Sequence, residues 1–97
     1  MSKKELLTKL AEVRQMTFAY LDVQGEGSVA ITHQEYARQM SRPNTYWTVR
    51  SGNEAFFDDE KSESSMQAWY EAAGAVRKLV AEYEAVHRPL PKSLKAL

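Results

Sequence analysis

The 97-residue chain contains no cysteine, few prolines and glycines, and no net charge. Without cysteine it cannot form disulfides, thiolate nucleophiles or cysteine-ligated zinc sites. Basic and acidic side chains balance, so the broad positive field of a nonspecific DNA-binding protein is missing. No apolar run approaches the length of a membrane span, and charged residues interrupt the N-terminal segment where a signal peptide would be apolar. We therefore expect a cytoplasmic protein with a single small domain over residues 1–97.

The strongest pattern is an apolar stripe in the last third of the chain, with spacings that alternate between three and four residues. This period places side chains on one face of an α-helix. The members of the stripe are Met66, Trp69, Ala73, Val76, Val80, Tyr83 and His87. The stripe predicts a long helix over about residues 64–87, stopped by Pro89. Packing in the protein's own core is the first interpretation, and a coiled-coil homodimer or a surface for a partner helix is the alternative.

A second long helix is predicted over about residues 2–22. Ser2 followed by Glu5 is a capping box, in which the two side chains satisfy free amides at a helix start. Glycines 25 and 27 fit the end of the helix, because glycine readily adopts left-handed backbone angles. The apolar face of this helix repeats at Leu6, Leu10, Val13, Thr17 and Tyr20.

The remaining segments predict smaller elements. Thr32 and Glu35 form another capping box and begin a short helix over about residues 32–41, with Tyr36, Ala37 and Met40 facing inward. Residues 28–31 fit an extended connector or an edge strand, residues 45–58 a β-hairpin, and the tail 88–97 one last helical turn. The expected fold is mainly α, with two long amphipathic helices packed antiparallel and the short helix and small β-hairpin at one end.

The predicted hairpin carries the candidate partner-binding residues, because aromatic and arginine side chains dominate protein interfaces. These residues are Arg42, Tyr46, Trp47, Arg50, Phe56 and Phe57. A small core that stabilises the hairpin is the alternative interpretation of the aromatic residues. Base stacking on single-stranded nucleic acid is disfavoured, because the acidic stretch from Glu54 to Glu63 lies directly beside them.

No pattern in the chain is typical of an enzyme, a metal site or a cofactor site. His33 and His87 are the only histidines, and neither has a second ligand at metal-binding spacing. There is no G-x-S-x-G motif and no phosphate-binding loop. We therefore expect a protein without catalytic residues, a bound metal or a cofactor.

The chain resembles the small accessory proteins of lambdoid bacteriophages, and among them the phage anti-RecBCD protein family. The resemblance lies in the chain length, the lysine-rich start Ser2-Lys3-Lys4-Glu5-Leu6-Leu7, the aromatic segment Tyr46-Trp47-Thr48-Val49-Arg50 and the long C-terminal helix. It implies a non-enzymatic protein of the host cytoplasm that binds the RecC subunit of the RecBCD helicase-nuclease and changes DNA-end processing during phage recombination. It also implies recruitment of a host prolyl isomerase, for which Pro43, Pro89 and Pro91 are the available prolines.

Two other functions fit the same patterns. One is inhibition of a different host defence complex, as by an anti-CRISPR protein that uses the same surfaces. The other is a small DNA-binding regulator that dimerises through the long helix. This second alternative needs a basic face, for which Arg38 and Arg42 on one side of the short helix are the available residues.

Overall fold

The computed structural model describes the backbone of residues 1–40 and 55–97, and the side chains of residues 1–38 and 55–97. These residues form helices and a small antiparallel sheet. In chain order, the elements are α1 (Lys3–Gln15), β1 (Thr17–Val23), β2 (Gly27–Thr32), α2 (His33–Met40), β3 (Ala55–Phe57), α3 (Asp59–Glu84) and α4 (Lys92–Lys95). The predicted mainly α character is therefore confirmed, whereas the arrangement of the helices differs from the prediction.

Helix α1 begins as the capping box predicts. The Ser2 hydroxyl oxygen accepts a hydrogen bond from the Glu5 backbone N–H at 3.1 Å, and the hydroxyl donates to the Glu5 carboxylate at the same distance. Leu6, Leu10 and Val13 form its buried face. The helix ends at Gln15, seven residues before the predicted end at residue 22, so the prediction of a long first helix is wrong.

The segment predicted as the second half of that helix is strand β1. It pairs antiparallel with β2, and a tight turn containing Gly25 (φ 86°) and Gly27 (φ 83°) connects the two strands. Ala19, Leu21 and Val23 are buried at every second position, which is the period of a strand. The prediction failed because Val13, Thr17 and Tyr20 also fit a helical period. In the structure, pairing with β2 satisfies the backbone N–H and C=O groups of this segment, whose β-branched and aromatic residues favour a strand.

The sheet has the order β2-β1-β3, with antiparallel pairing throughout. Residues 28–31 thus belong to an edge strand, which is one of the two predicted alternatives. A bulge lies between Thr17 and Ala19 of β1, where the register shifts by one residue. Because the bulge interrupts the alternation of faces, the consecutive residues Phe18 and Ala19 are both buried.

Helix α3 is the one long helix among the described residues, and it starts earlier than predicted. Its N-cap is Asp58, whose carboxylate accepts the Lys61 N–H at 3.0 Å. The acidic residues that precede the predicted start at residue 64 are therefore helical, as expected from the attraction of negative side chains to a helix N-terminus. The stripe forms the packed face: Trp69, Ala73, Val76 and Val80 are buried, Met66 and Tyr83 are partly buried, and His87 is exposed.

Helix α1 lies antiparallel beside α3. Met1 lies next to Leu79, Tyr83 and Val86 near the end of α3, whereas the Val13 carbonyl accepts a hydrogen bond from the Trp69 indole at 3.2 Å. The predicted antiparallel packing therefore involves one long and one short helix. The sheet covers the part of α3 that the predicted continuation of α1 would have covered.

The tail folds back onto the two helices. The Glu84 carboxylate accepts the Leu90 N–H at 2.6 Å and binds the Lys95 ammonium at 2.8 Å, and Leu90 is buried. The Arg14 guanidinium donates to the carbonyls of Leu94 and Ala96. Pro91 is the N-cap of the short helix α4, so the predicted last turn is present with Pro91 directly before it.

No helix in the described ranges is both long enough and apolar enough to cross a lipid bilayer.

Candidate functional site

The structure locates two of the six predicted partner-binding residues. Arg42, Tyr46, Trp47 and Arg50 lie outside the described residues, as do the first strand and the turn of the predicted hairpin. The end of that hairpin, Ala55–Phe57, is strand β3 and pairs with β1. Phe56 and Phe57 are therefore the residues on which the structure reports.

Phe56 and Phe57 lie on opposite faces of the sheet, because successive side chains of a strand alternate. Phe57 is paired with Leu21 and contacts the Tyr36 ring, with ring centroids 4.8 Å apart. Phe56 is paired with Asp22, and 64% of its surface is exposed. The prediction joined two side chains with different environments: Phe57 packs inside the fold, and Phe56 faces solvent.

Phe56 belongs to what we term the outer sheet face. Directly paired residues of antiparallel strands point to the same side. The outer sheet face consists of Tyr20, Asp22, Ser28, Ala30 and Phe56. All of these residues are exposed except Tyr20, which is partly buried. The Lys61 ammonium donates to the Ser28 hydroxyl at 2.9 Å, so one end of this face is polar.

The position of β3 depends on the buried residue Ser62. The Ser62 hydroxyl oxygen accepts the Tyr20 backbone N–H at 2.8 Å, and the hydroxyl lies 3.4 Å from the Tyr20 carbonyl. That carbonyl also accepts the Asp58 N–H at 3.0 Å. Strand β3 ends at Phe57, and Asp58 and Ser62 then bind the Tyr20 backbone, so the start of helix α3 continues along β1 where β3 stops.

On the inner side, an aromatic cluster surrounds Trp69. We use this term for Phe18, His33, Tyr36, Trp69 and Tyr70. The His33 ring stacks on the Trp69 indole at 4.2 Å with an interplanar angle of 9°. Phe18 meets the same indole edge-on at 5.2 Å and contacts Tyr36 at 4.8 Å. The bulge in β1 is what turns Phe18 toward this cluster.

A cleft of about 290 Å³ opens beside the aromatic cluster. It lies between the end of α1, the start of α2 and the tail. Its lining residues are Arg14, His33, Gln34, Ala37, Trp69, Ser93, Ala96 and Leu97. Ala37 is exposed, so the prediction that it faces inward is wrong, and the position of the Met40 side chain is outside the described residues.

His33 is the ionisable residue in this cleft with a perturbed pKa. Burial, followed by the nearby Arg77 charge, holds the pKa of His33 below its ordinary value, because both disfavour the charged imidazole. Both effects favour the neutral ring, which can act as either a hydrogen-bond donor or an acceptor. The Thr32 hydroxyl caps α2 at the Glu35 N–H, at 3.3 Å, and this cap places His33 in the first turn over Trp69.

The sequence patterns identified Trp69 and His33 separately but did not bring them together. Trp69 was assigned to the helical stripe and His33 to a helix start, and 36 positions separate them along the chain. The capping box at Thr32 was the one local signal that located His33. The stacking itself depends on the sheet, whose central strand β1 lies where the sequence predicted a helix.

The described side chains do not form a cluster of three or more histidine, aspartate or glutamate residues that could hold a metal ion. Arg38, one of the two residues on which the DNA-binding alternative rests, forms an ion pair with Glu35 at 3.0 Å, and Arg42 lies outside the described residues. Comparison of the chain with known protein families, with curated proteins and with solved structures finds no match.

Proposed function

We propose that this protein is a non-enzymatic accessory protein that acts by binding a protein complex of a host cell through its outer sheet face. The single observation that supports this function is the exposure of Phe56, which leaves 64% of a phenylalanine surface in water on a strand. An exposed aromatic side chain on a rigid element is typical of the residues that dominate protein–protein binding energy.

The partner proposed is the RecBCD helicase-nuclease, bound through its RecC subunit. The resemblance to phage anti-RecBCD proteins suggests this partner. Charge agrees with docking on a protein surface: the chain has no net charge, and Asp22 beside Phe56 would repel a phosphate backbone. The protein would then modulate DNA-end processing in the host cytoplasm by contact with the nuclease, and not by contact with DNA.

The test is binding of purified RecBCD to the Phe56→Ala variant, measured by biolayer interferometry or calorimetry. We expect the unaltered protein to bind and F56A to bind at least about tenfold more weakly, the size of a moderate hot-spot effect. The matched control is Val86→Ala, because Val86 is also apolar and is 77% exposed, at the far end of α3. Equal affinities for F56A and V86A would rule out the outer sheet face as the binding surface.

A pulldown from an enterobacterial lysate, with mass spectrometry of the bound proteins, tests the identity of the partner. Recovery of RecB, RecC and RecD with the unaltered chain and their loss with F56A supports the proposal. Recovery of a different defence complex with the same dependence on Phe56 would retain the binding surface and replace RecBCD. A prolyl isomerase among the bound proteins would support the second partner that the resemblance implies.

A further inference from the structure

The cleft beside Trp69 combines an apolar floor with positive charge that the fold does not neutralise. The buried Trp69 lies at the floor, and Arg14 and His33 form part of the walls. The Arg14 guanidinium donates to the Leu94 and Ala96 carbonyls, which leaves its positive charge in place. The Arg77 guanidinium carbon lies 5.9 Å from the centre of the Trp69 ring. Within residues 1–40 and 55–97, neither Arg14 nor Arg77 has a carboxylate at ion-pair distance.

Helix α2 adds to this positive potential. His33 and Gln34 in its first turn and Ala37 in the next line the cleft, so the cleft lies along the side of the helix, close to its positive N-terminal end. The nearest acidic residue on α2, Glu35, is paired with Arg38. The electrostatic surroundings therefore favour a negatively charged group in the cleft.

We propose that this cleft binds a small carboxylate whose body is an aromatic ring or a branched apolar group. Its volume of about 290 Å³ is at the lower limit of small-molecule pockets, so it suits one ring and not an extended chain. The apolar body would lie against Ala37 and the His33 ring, which covers the buried Trp69 indole. The carboxylate would face Arg14 and His33, with Arg77 increasing the attraction.

A single carboxylate fits better than a nucleic acid. Arg14 lines the cleft and Arg77 lies beside the Trp69 ring, whereas a phosphate backbone needs a continuous basic track. The cleft contains none of the residues of the outer sheet face, so binding of a carboxylate is independent of binding to RecBCD.

Trp69 reports on the cleft directly. Because the chain has two tryptophans, a Trp47→Phe variant makes Trp69 the only indole fluorophore. We expect benzoate to change the Trp69 fluorescence in a saturable way, and benzamide, which has the same shape and no charge, to bind at least about tenfold more weakly. Saturation-transfer NMR with the unaltered chain repeats the comparison without any substitution. Equal binding of benzoate and benzamide would overturn the proposal.

Arg77→Gln tests the charge without disturbing the tail, which depends on Arg14. We expect R77Q to weaken benzoate binding by about threefold to fivefold, as expected for the loss of an exposed charge interaction. Lys78→Gln is the matched control, because it removes one positive charge from the next position of the same helix. An equal loss for R77Q and K78Q would mean that net charge alone attracts benzoate, and would contradict a site at Trp69.

Two further probes identify the source of the carboxylate. If N-acetylphenylalanine binds more tightly than benzoate, and N-acetylphenylalanine amide does not bind, the ligand is the C-terminus of a peptide. Tighter binding of benzoate supports a free aromatic acid. If a single-stranded oligonucleotide changes the Trp69 fluorescence and benzoate does not, the cleft binds nucleic acid and the carboxylate proposal is wrong. The F56A variant should bind benzoate normally.

Discussion

The two ends of helix α3 are held in the fold by different physical interactions. At its N-terminal half, Ser62 and Trp69 are 1% exposed and donate or accept hydrogen bonds with backbone groups of β1 and α1. At its C-terminal end, the tail is attached through the Glu84 carboxylate, which forms bonds to Leu90 and Lys95 near the surface. Buried contacts depend on exclusion of water, whereas the surface contacts are weakened by solvent and salt.

This difference predicts that the N-terminal half of α3 is required for folding, whereas the tail can detach from a folded protein. The attachment of the tail also depends on pH, because the Glu84 carboxylate can be protonated, whereas the buried Trp69 indole does not titrate. Both candidate surfaces depend on the stable half: Ser62 supports the β3 strand that carries Phe56, and Trp69 forms the floor of the cleft.

The largest effect is expected from Trp69→Ala. Removing this buried indole should cost about 3–5 kcal/mol of unfolding free energy, because it deletes the centre of the aromatic cluster and leaves a cavity. Trp69→Phe keeps a ring and should cost less, since it mainly removes the hydrogen bond to the Val13 carbonyl. Urea unfolding followed by circular dichroism measures both. A loss below about 1 kcal/mol for W69A would instead place the apolar stripe at an interface between molecules.

An intermediate effect is expected from Ser62→Ala. The change leaves the Tyr20 N–H without its acceptor in the interior, which should cost about 1–3 kcal/mol. Ser64→Ala is the matched control, because Ser64 is exposed on the same helix and undergoes the same chemical change. If the two variants were equally stable, Ser62 would not be what joins α3 to the sheet.

The smallest effect is expected from Glu84→Gln, and it depends on pH. The hydrogen bond from Lys95, followed by the one from Leu90, holds the pKa of Glu84 below its ordinary value of 4.5. Its contribution to stability is therefore present above that pH and is lost as the pH falls through the lower, folded-state pKa. The protection factors of the tail amides, which correct for the pH dependence of intrinsic exchange, should fall in this acidic range in the unaltered chain.

In E84Q, the tail amides should already exchange quickly at neutral pH, with little change in the N-terminal half of α3. Glu82→Gln, a neighbouring exposed position, serves as the control and should leave the tail protected. Protection of the Leu90 amide in E84Q equal to that in the unaltered chain would show that burial of Leu90 alone holds the tail.

The extent to which the sequence predicted the fold differs between elements. The capping box at Ser2, the cap at Thr32 and the apolar stripe that begins at Met66 are local signals, and each corresponds to a helix in the structure. The prediction of a helix over residues 17–23 was wrong because their apolar positions fit both a helical period and a strand period. For the candidate site, Phe56 was identified as an aromatic residue of the predicted hairpin, and only the pairing of β3 with β1 decided that Phe56, and not Phe57, faces solvent.

By itself, the sequence determined the starts of α1 and α2, the apolar face of α3 and the absence of cysteine chemistry, because these depend on neighbouring residues and on composition. The tertiary structure alone decided that Thr17–Val23 is a strand, that Ser62 completes the pairing of that strand, and that His33 stacks on Trp69. Each of these features joins residues distant in the chain. Their stability comes from backbone pairing and burial, which exist only once the whole chain has folded.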